Sequence, residues 1–227
     1  LAVAHYVRKQ MKKRKIAGSF ALGGITGYMV DMLEEGLFQT ILDVQGFDLD
    51  AIRSLKENPN HLEISAGTYA NPFNSGCVVN QLDCVVLGAT EMDLDFNVNV
   101  VTGSDGMIMG GSGGHSDAAA GAKLTIITAN LTRSRLPVLR KDILTITTPG
   151  ETVDILVTEF GISVNPKRTD LIEKFTQAGL PLFTIEEMAQ MAEDIAGIPG
   201  TVELHEKIVA YVEYRDGTII DTVRQIK

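Results

Sequence analysis

The chain has 227 residues, 44% of them hydrophobic and 22% charged, an ordinary globular composition in a chain long enough to bury its own core. Twenty Lys and Arg against 29 Asp and Glu leave a net charge of −9, which excludes nonspecific nucleic-acid binding, since that needs a cationic surface. No apolar run reaches the length of a membrane span, and Cys77 and Cys84 match neither a zinc knuckle nor a disulfide framework, so a reduced, cytoplasmic protein is expected. The first residue is Leu rather than Met, and the chain is expected to be a fragment or processed product.

The periodicity predicts a helix over Leu1 to Lys15 with Leu1, Ala4, Val7 and Met11 on one face, ending in the cations Arg8, Lys9, Lys12, Lys13, Arg14 and Lys15. These suit the negative end of a helix dipole, and they are also a candidate docking patch for an acidic partner. A strand follows over Gly18 to Leu22, and Gly23-Gly24 is expected to turn the chain into a helix from about Gly27 to Glu35. Thr40 to Val44 reads as a strand, Leu49 to Glu57 as a helix and Leu62 to Ala66 as a strand, before a loop over Asn71 to Gly76.

Cys84 to Leu87 is expected to be a buried strand. Glu91 to Asn97 alternates with period two, which predicts a strand with Glu91, Asp93 and Asp95 on one face. Three carboxylates so placed are a solvated face, a hard-metal site, or a frame for a site-facing Glu91. Leu124 to Ala129 and Val153 to Thr158 are β-branched strands, and Asp170 to Ala178 is helical. Thr184, with Glu187 three residues on, forms a capping box for a helix reaching about Ala196. The C-terminus reads as a hairpin, Lys207 to Tyr214 and Thr218 to Ile226, turned at Asp216-Gly217. Alternating strands and helices imply a single α/β domain with a mostly parallel sheet flanked by helices, right-handed crossovers, and ligands at the C-terminal strand ends.

Seven of the 22 glycines fall between Gly103 and Gly121. The centre of this stretch reads Gly110-Gly111-Ser112-Gly113-Gly114-His115-Ser116-Asp117, with a helix expected over Ala118 to Ala122 and capped by Ser116 or Asp117. Glycines let backbone N–H groups approach a ligand closely, which suits a phosphate or the oxyanion of an acyl transfer. A purely structural glycine turn is the alternative. The stretch is neither a Walker loop nor a dinucleotide fingerprint, because Gly-Lys-Ser/Thr and the ribose-binding acid are both missing. His115 is a candidate polar contact rather than part of a triad, since its near neighbours cannot form the linear geometry. His5, His61 and His205 are scattered and show no metal spacing, so no metal is expected. Glu159 ends a buried strand, either at the site or paired on the surface with a base such as Arg168. Arg133, Arg135, Arg140 and Lys141 lie between two strands, as a polyanion site or as a solvated loop.

The run Gly110 to Lys123 resembles the citrate lyase alpha-subunit family. Val157-Thr158-Glu159-Phe160-Gly161 resembles the strand end of the wider CoA-transferase and acetyl-CoA hydrolase family, and Ser19 to Gly27 and Ala89 to Asp93 also fit the alpha subunit. The resemblance spans essentially the whole chain. It implies a CoA-transferase (NagB/RpiA-like) fold, with this chain as the second of two tandem domains. The implied reaction replaces acetate with citrate on a CoA or phosphopantetheine-type thioester held by an acyl carrier protein, giving a citryl thioester and acetate. The implied partners are the beta (lyase) and gamma (acyl-carrier) subunits in a bacterial homo-oligomeric assembly. With the resemblance and the chemistry of the residues taken together, the candidate catalytic residues are Gly113, Gly114, Glu159, Asp43 and Glu91, and the candidate cofactor-binding residues are Gly110, Gly111, Ser112, His115 and Gly24. Many relatives attack through a Glu at the end of the second strand. Asp43 stands roughly there and is one methylene shorter. Direct attack by citrate through a mixed anhydride is therefore expected, with Asp43 orienting. The alternatives are a noncatalytic scaffold half-domain and a sugar-phosphate isomerase of similar fold.

Overall fold

The structure, a computed structural model, describes residues 2–227, so Leu1 in the expected first helical face lies outside it. The chain divides into two compact units, one ending at Cys77 and the other starting at Val78.

In the first unit, α1 (Ala2–Arg14) precedes two successive strand–helix–strand crossovers: β1 (Gly18–Ile25), α2 (Gly27–Glu34), β2 (Phe38–Gly46), α3 (Leu49–Glu57) and β3 (His61–Glu63). The three strands are parallel in the order β1-β2-β3, and a short helix, α4 (Ala66–Ala70), follows. Gly23-Gly24 does not end the first strand as expected. The strand continues to Ile25, and its register against β2 shifts between the two glycines. Gly23 sits at φ +118°, which a side chain rarely adopts, so the pair makes a bulge rather than a turn. Ile25, Val30, Leu33, Ile41 and Ala51 form the core, and full burial of Ile41 alone stabilises by roughly 2 kcal/mol. Asp48 caps α3, accepting Ala51 N–H at 2.9 Å while its other oxygen accepts Gly27 N–H at 2.7 Å. In α1, Arg8 is forked onto Glu35 and reaches Asp31, and Lys12 also meets Glu35. Two of the six expected docking cations are thus internal partners.

The second unit is built on β4 (Val85–Gly88), β5 (Glu91–Met92), β6 (Val98–Asn99), α5 (His115–Gly121), β7 (Thr125–Thr128), β8 (Thr132–Arg133), β9 (Leu136–Pro137), β10 (Ile155–Val157), β11 (Ile162–Val164), α6 (Thr169–Gln177), α7 (Ile185–Ala196), β12 (Leu204–Glu213) and β13 (Ile219–Ile226). Its main sheet has the order β11-β10-β7-β4, parallel except for β11. Ile185, Met188, Ala189 and Ala192 recur at helical spacing along α7 and pack on Ile127, Leu131 and Leu156. The capping box is present: Thr184 Oγ1 accepts Glu187 N–H at 3.1 Å, and Glu187 Oε2 accepts Thr184 N–H at 2.8 Å. The final hairpin β12–β13 turns at Asp216-Gly217.

The strand expected over Glu91 to Asn97 is corrected to two residues of β5 followed by a turn. Asp93 Oδ1 accepts the N–H groups of Asp95 and Asn97, and Phe96 adopts φ +66° with its ring buried. The alternation was real, but a side-chain acceptor two and four residues from its donors competes with the strand ladder. Glu91 and Asp93 are buried while Asp95 is exposed, so the three carboxylates do not form one face. The expected side-chain cap of α5 is also corrected: Gly114 holds the cap position, Ser116 is buried and Asp117 lies in the first turn. Among the described residues, no helix is long and apolar enough to cross a membrane, and both cysteines are free.

Candidate functional site

The parallel strands β4, β7 and β10 end in register at Gly88, Thr128 and Val157. Each strand end is tied by a side chain from the connections that follow. His115 Nε2 lies 2.8 Å from the Gly88 carbonyl and Nδ1 lies 2.7 Å from the Thr148 hydroxyl. A carbonyl only accepts, so Nε2 carries the proton and Nδ1 receives the Thr148 hydroxyl. Burial pushes the His115 pKa down, which keeps the ring neutral. Arg133 Nη2 donates to the Ala89 carbonyl at 3.0 Å, so His115 and Arg133 grip consecutive carbonyls. Glu159 Oε2 accepts the Leu131 N–H at 2.9 Å, linking the end of β10 to the segment after β7. Arg168, a possible partner of Glu159, instead pairs with Asp154 and Asp170.

The glycine segment runs up to this edge. Gly110, Gly111 and Gly113 have open space where a Cβ would stand, and Gly113 sits at φ +51°. Among the described residues, the five successive N–H groups from Gly110 to Gly114 have no protein acceptor. The next one does, His115 donating to the Ser112 carbonyl at 3.1 Å. A run of free donors in uncrowded space is what a developing oxyanion needs. The helix behind it, α5, has only seven residues, so the loop donors rather than a long dipole supply the positive potential.

Glu91 stands at the same strand end but is not a free carboxylate. It is buried, with Oε1 2.6 Å from Arg140 Nη1 and Oε2 accepting from Asn99 Nδ2 at 3.2 Å. Asn99 continues to Thr102, and Thr102 to Thr145. This network holds the connection beside the site. Arg140 is spent on it, while Arg133 has one backbone acceptor, and Arg135 and Lys141 have no hydrogen bond or ion pair among the described residues.

The other two expected site residues, Asp43 and Gly24, lie in the first unit. Asp43 is buried on β2, with Oδ2 3.2 Å from His61 Nε2, while His61 Nδ1 lies 2.9 Å from Ser54 Oγ. Asp43 Oδ1 is buried without a hydrogen-bond partner among the described residues. Gly24 underlies Phe47, whose ring a Cβ would meet at 2.0 Å. Sequence reasoning weighed His61 only as a metal ligand and passed over Ser54, and no local signal links either to Asp43, because α3 and the parallel β2–β3 pairing bring them together. It took Asp117 only as a helix cap, whereas its carboxylate lies 3.6 Å from Arg215 on the hairpin turn and its pKa is raised by burial. Among the described residues, no three His, Cys, Asp or Glu side chains are grouped to hold a metal ion.

The family model described as "Citrate lyase, alpha subunit" matches residues 1–226. The chain belongs to the citrate lyase alpha-subunit family. It is 54% identical over 227 residues to the citrate lyase alpha chain of Klebsiella pneumoniae and 50% identical to that of Escherichia coli K12, covering 45% and 44% of their lengths. The chain thus spans a little under half the length of the curated relatives it matches. A solved alpha subunit of citrate lyase from Streptococcus mutans, in complex with citrate, superposes with a TM-score of 0.96 at 50% identity, covering all of this chain and 44% of that one. RipA from Yersinia pestis superposes at 0.53 with 16% identity over 86% of this chain, a likeness of fold alone. The α/β fold with a parallel sheet and a closing hairpin is the expected one.

Proposed function

We propose that this chain supplies part of the active site of a transferase that exchanges acetate for citrate on an acyl-carrier or CoA thioester, as the alpha subunit of citrate lyase. The observation that carries the reading is the run of acceptor-free N–H groups from Gly110 to Gly114 at the C-terminal edge of the parallel sheet. A citrate carboxylate oxygen attacks the acetyl thioester carbonyl, and the electron pair moves onto the carbonyl oxygen, where the loop N–H groups meet it. Collapse expels the thiolate and leaves a mixed anhydride of acetate and citrate. The thiolate then attacks the citryl carbonyl and expels acetate. Losing one oxyanion donor costs about 3 kcal/mol of barrier, or ~100-fold in rate.

Burial of Asp43 beneath His61 supports an orienting role rather than attack. Glu159 places the Leu131 backbone, and neutral His115 places the loop against Gly88. The thioester is a substrate carried by the gamma subunit, and its citryl product passes to the beta subunit. The four cations in and just after α1 that have no acidic partner among the described residues, Lys9, Lys13, Arg14 and Lys15, fit an acidic carrier, an attraction that weakens with salt.

The test uses the full-length alpha chain with acetyl-CoA and citrate, followed by mass spectrometry. Formation of citryl-CoA and acetate supports the reading. A folded protein giving neither product with acetyl-CoA or with the acetylated carrier rejects it. Borohydride trapping of an acyl or CoA thioester on Asp43 would reject the direct-attack step.

A further inference from the structure

The two residues between β8 and β9, Ser134 and Arg135, both lie at positive φ, +48° and +67°. A two-residue hairpin loop with positive φ at both positions is a type I′ turn, which favours Asn-Gly because side chains crowd the backbone there. Here an arginine occupies the position where glycine is least strained. Its guanidinium is exposed and, among the described residues, has no hydrogen bond or ion pair. Two residues earlier, Arg133 is fixed by one nitrogen on the Ala89 carbonyl at 3.0 Å. The hairpin is held at its root, where Glu159 accepts the Leu131 N–H and the Leu131 carbonyl accepts the Val138 N–H at 2.9 Å. The positive-φ backbone of the turn is fixed at its root, so the unpaired guanidinium of Arg135 is displayed to solvent from a set position of the main chain. The other nearby arginine, Arg140, is closed off by Glu91.

We propose that the β8–β9 turn recognises a polycarboxylate, with Arg135 meeting one carboxylate through its fork and Arg133 offering its remaining N–H groups to a second. This rests on the transferase reading, in which citrate is the incoming acid, and it names the cations that receive it. The planar fork matches a carboxylate in a way that a lysine ammonium does not.

Arg135→Gly is the informative substitution, because glycine takes φ +67° freely and removes only the guanidinium. Citrate is titrated calorimetrically into the full-length alpha chain as wild type, Arg135→Gly, Arg135→Lys and Lys141→Gln. The expectation is that Arg135→Gly melts at an equal or higher temperature yet binds citrate at least ~10-fold more weakly, that Arg135→Lys is intermediate, and that Lys141→Gln matches wild type. Unchanged citrate binding in Arg135→Gly, or absence of citrate binding by wild type, overturns the proposal. So does a change confined to KM for the acetyl thioester, which would place a carrier phosphate at the turn. Arg135-dependent citrate binding without thioester exchange would leave this inference standing while the transferase reading fell. Exchange unaffected by Arg135→Gly would do the reverse.

Discussion

The Glu159 carboxylate and the Leu131 amide are joined at 2.9 Å at the C-terminal edge of the larger sheet. The bond ties the end of β10 to the start of the β8–β9 hairpin, so one strand-end acid sets the position of a neighbouring loop.

Removing that acceptor therefore moves the loop. Glu159→Ala is expected to cost about 1 kcal/mol in stability. Its exchange rate should fall on the order of 100-fold, because a displacement near 1 Å is enough to spoil reacting geometry. Glu159→Gln keeps a carbonyl acceptor and should recover much of the loss. Thioester exchange beside urea unfolding checks both, and an inactive Glu159→Gln with a native melting curve would show that the charge itself is required.

The Glu91–Arg140 pair is buried, with the Arg140 side chain 13% exposed and that of Glu91 3%. Arg140→Ala strands a carboxylate inside the protein and is expected to destabilise by roughly 3–5 kcal/mol. The double change Glu91→Leu with Arg140→Met removes both charges and should recover most of that stability. Urea midpoints of the three variants measure it; a double variant no better than Arg140→Ala would mean that packing, not charge, dominates there.

His115 predicts a pH dependence. Burial lowers its pKa from 6.5, so the unfolded chain takes up the proton first as pH falls. The stability it contributes is complete above 6.5 and is lost as pH drops from there through the lower folded value. Asp117 acts in the opposite sense, because burial raises its pKa and its contribution is lost as pH rises through the folded value. Comparing wild type with His115→Gln isolates the histidine. The drop in melting temperature between about pH 7.5 and about pH 5 should be smaller in the variant.

Gly113 and Gly110 separate backbone need from open space. A Cβ meets nothing within 4 Å at either, but only Gly113 lies at positive φ, +51°. Gly113→Ala should cost about 1–2 kcal/mol and shift the loop donors, whereas Gly110→Ala should unfold as wild type does. Gly150→Ala is expected not to fold, because its Cβ would lie 2.0 Å from the Asp95 carbonyl oxygen. Calorimetric melting of the three proteins gives the order.

What the sequence determined by itself was local or periodic. The helix over Leu49–Glu57, the Thr184–Glu187 capping box and the Asp216-Gly217 hairpin need only neighbours a few residues apart, and all three stand as read. The glycine run marked one edge of the candidate site for the same reason, since backbone freedom is written residue by residue. The partners of the acids were decided only by the tertiary structure. Arg140 reaches Glu91 across 49 residues, His61 reaches Asp43 across 18, and Glu159 reaches Leu131 across 28. The alternation from Glu91 to Asn97 misled because a strand and an Asp-centred turn share the same apolar positions. Burial of Asp93 and Phe96, fixed by the surrounding core, selects the turn. A charge pattern names the acids and bases available; crossover connections that bring distant strand ends into register choose which of them meet.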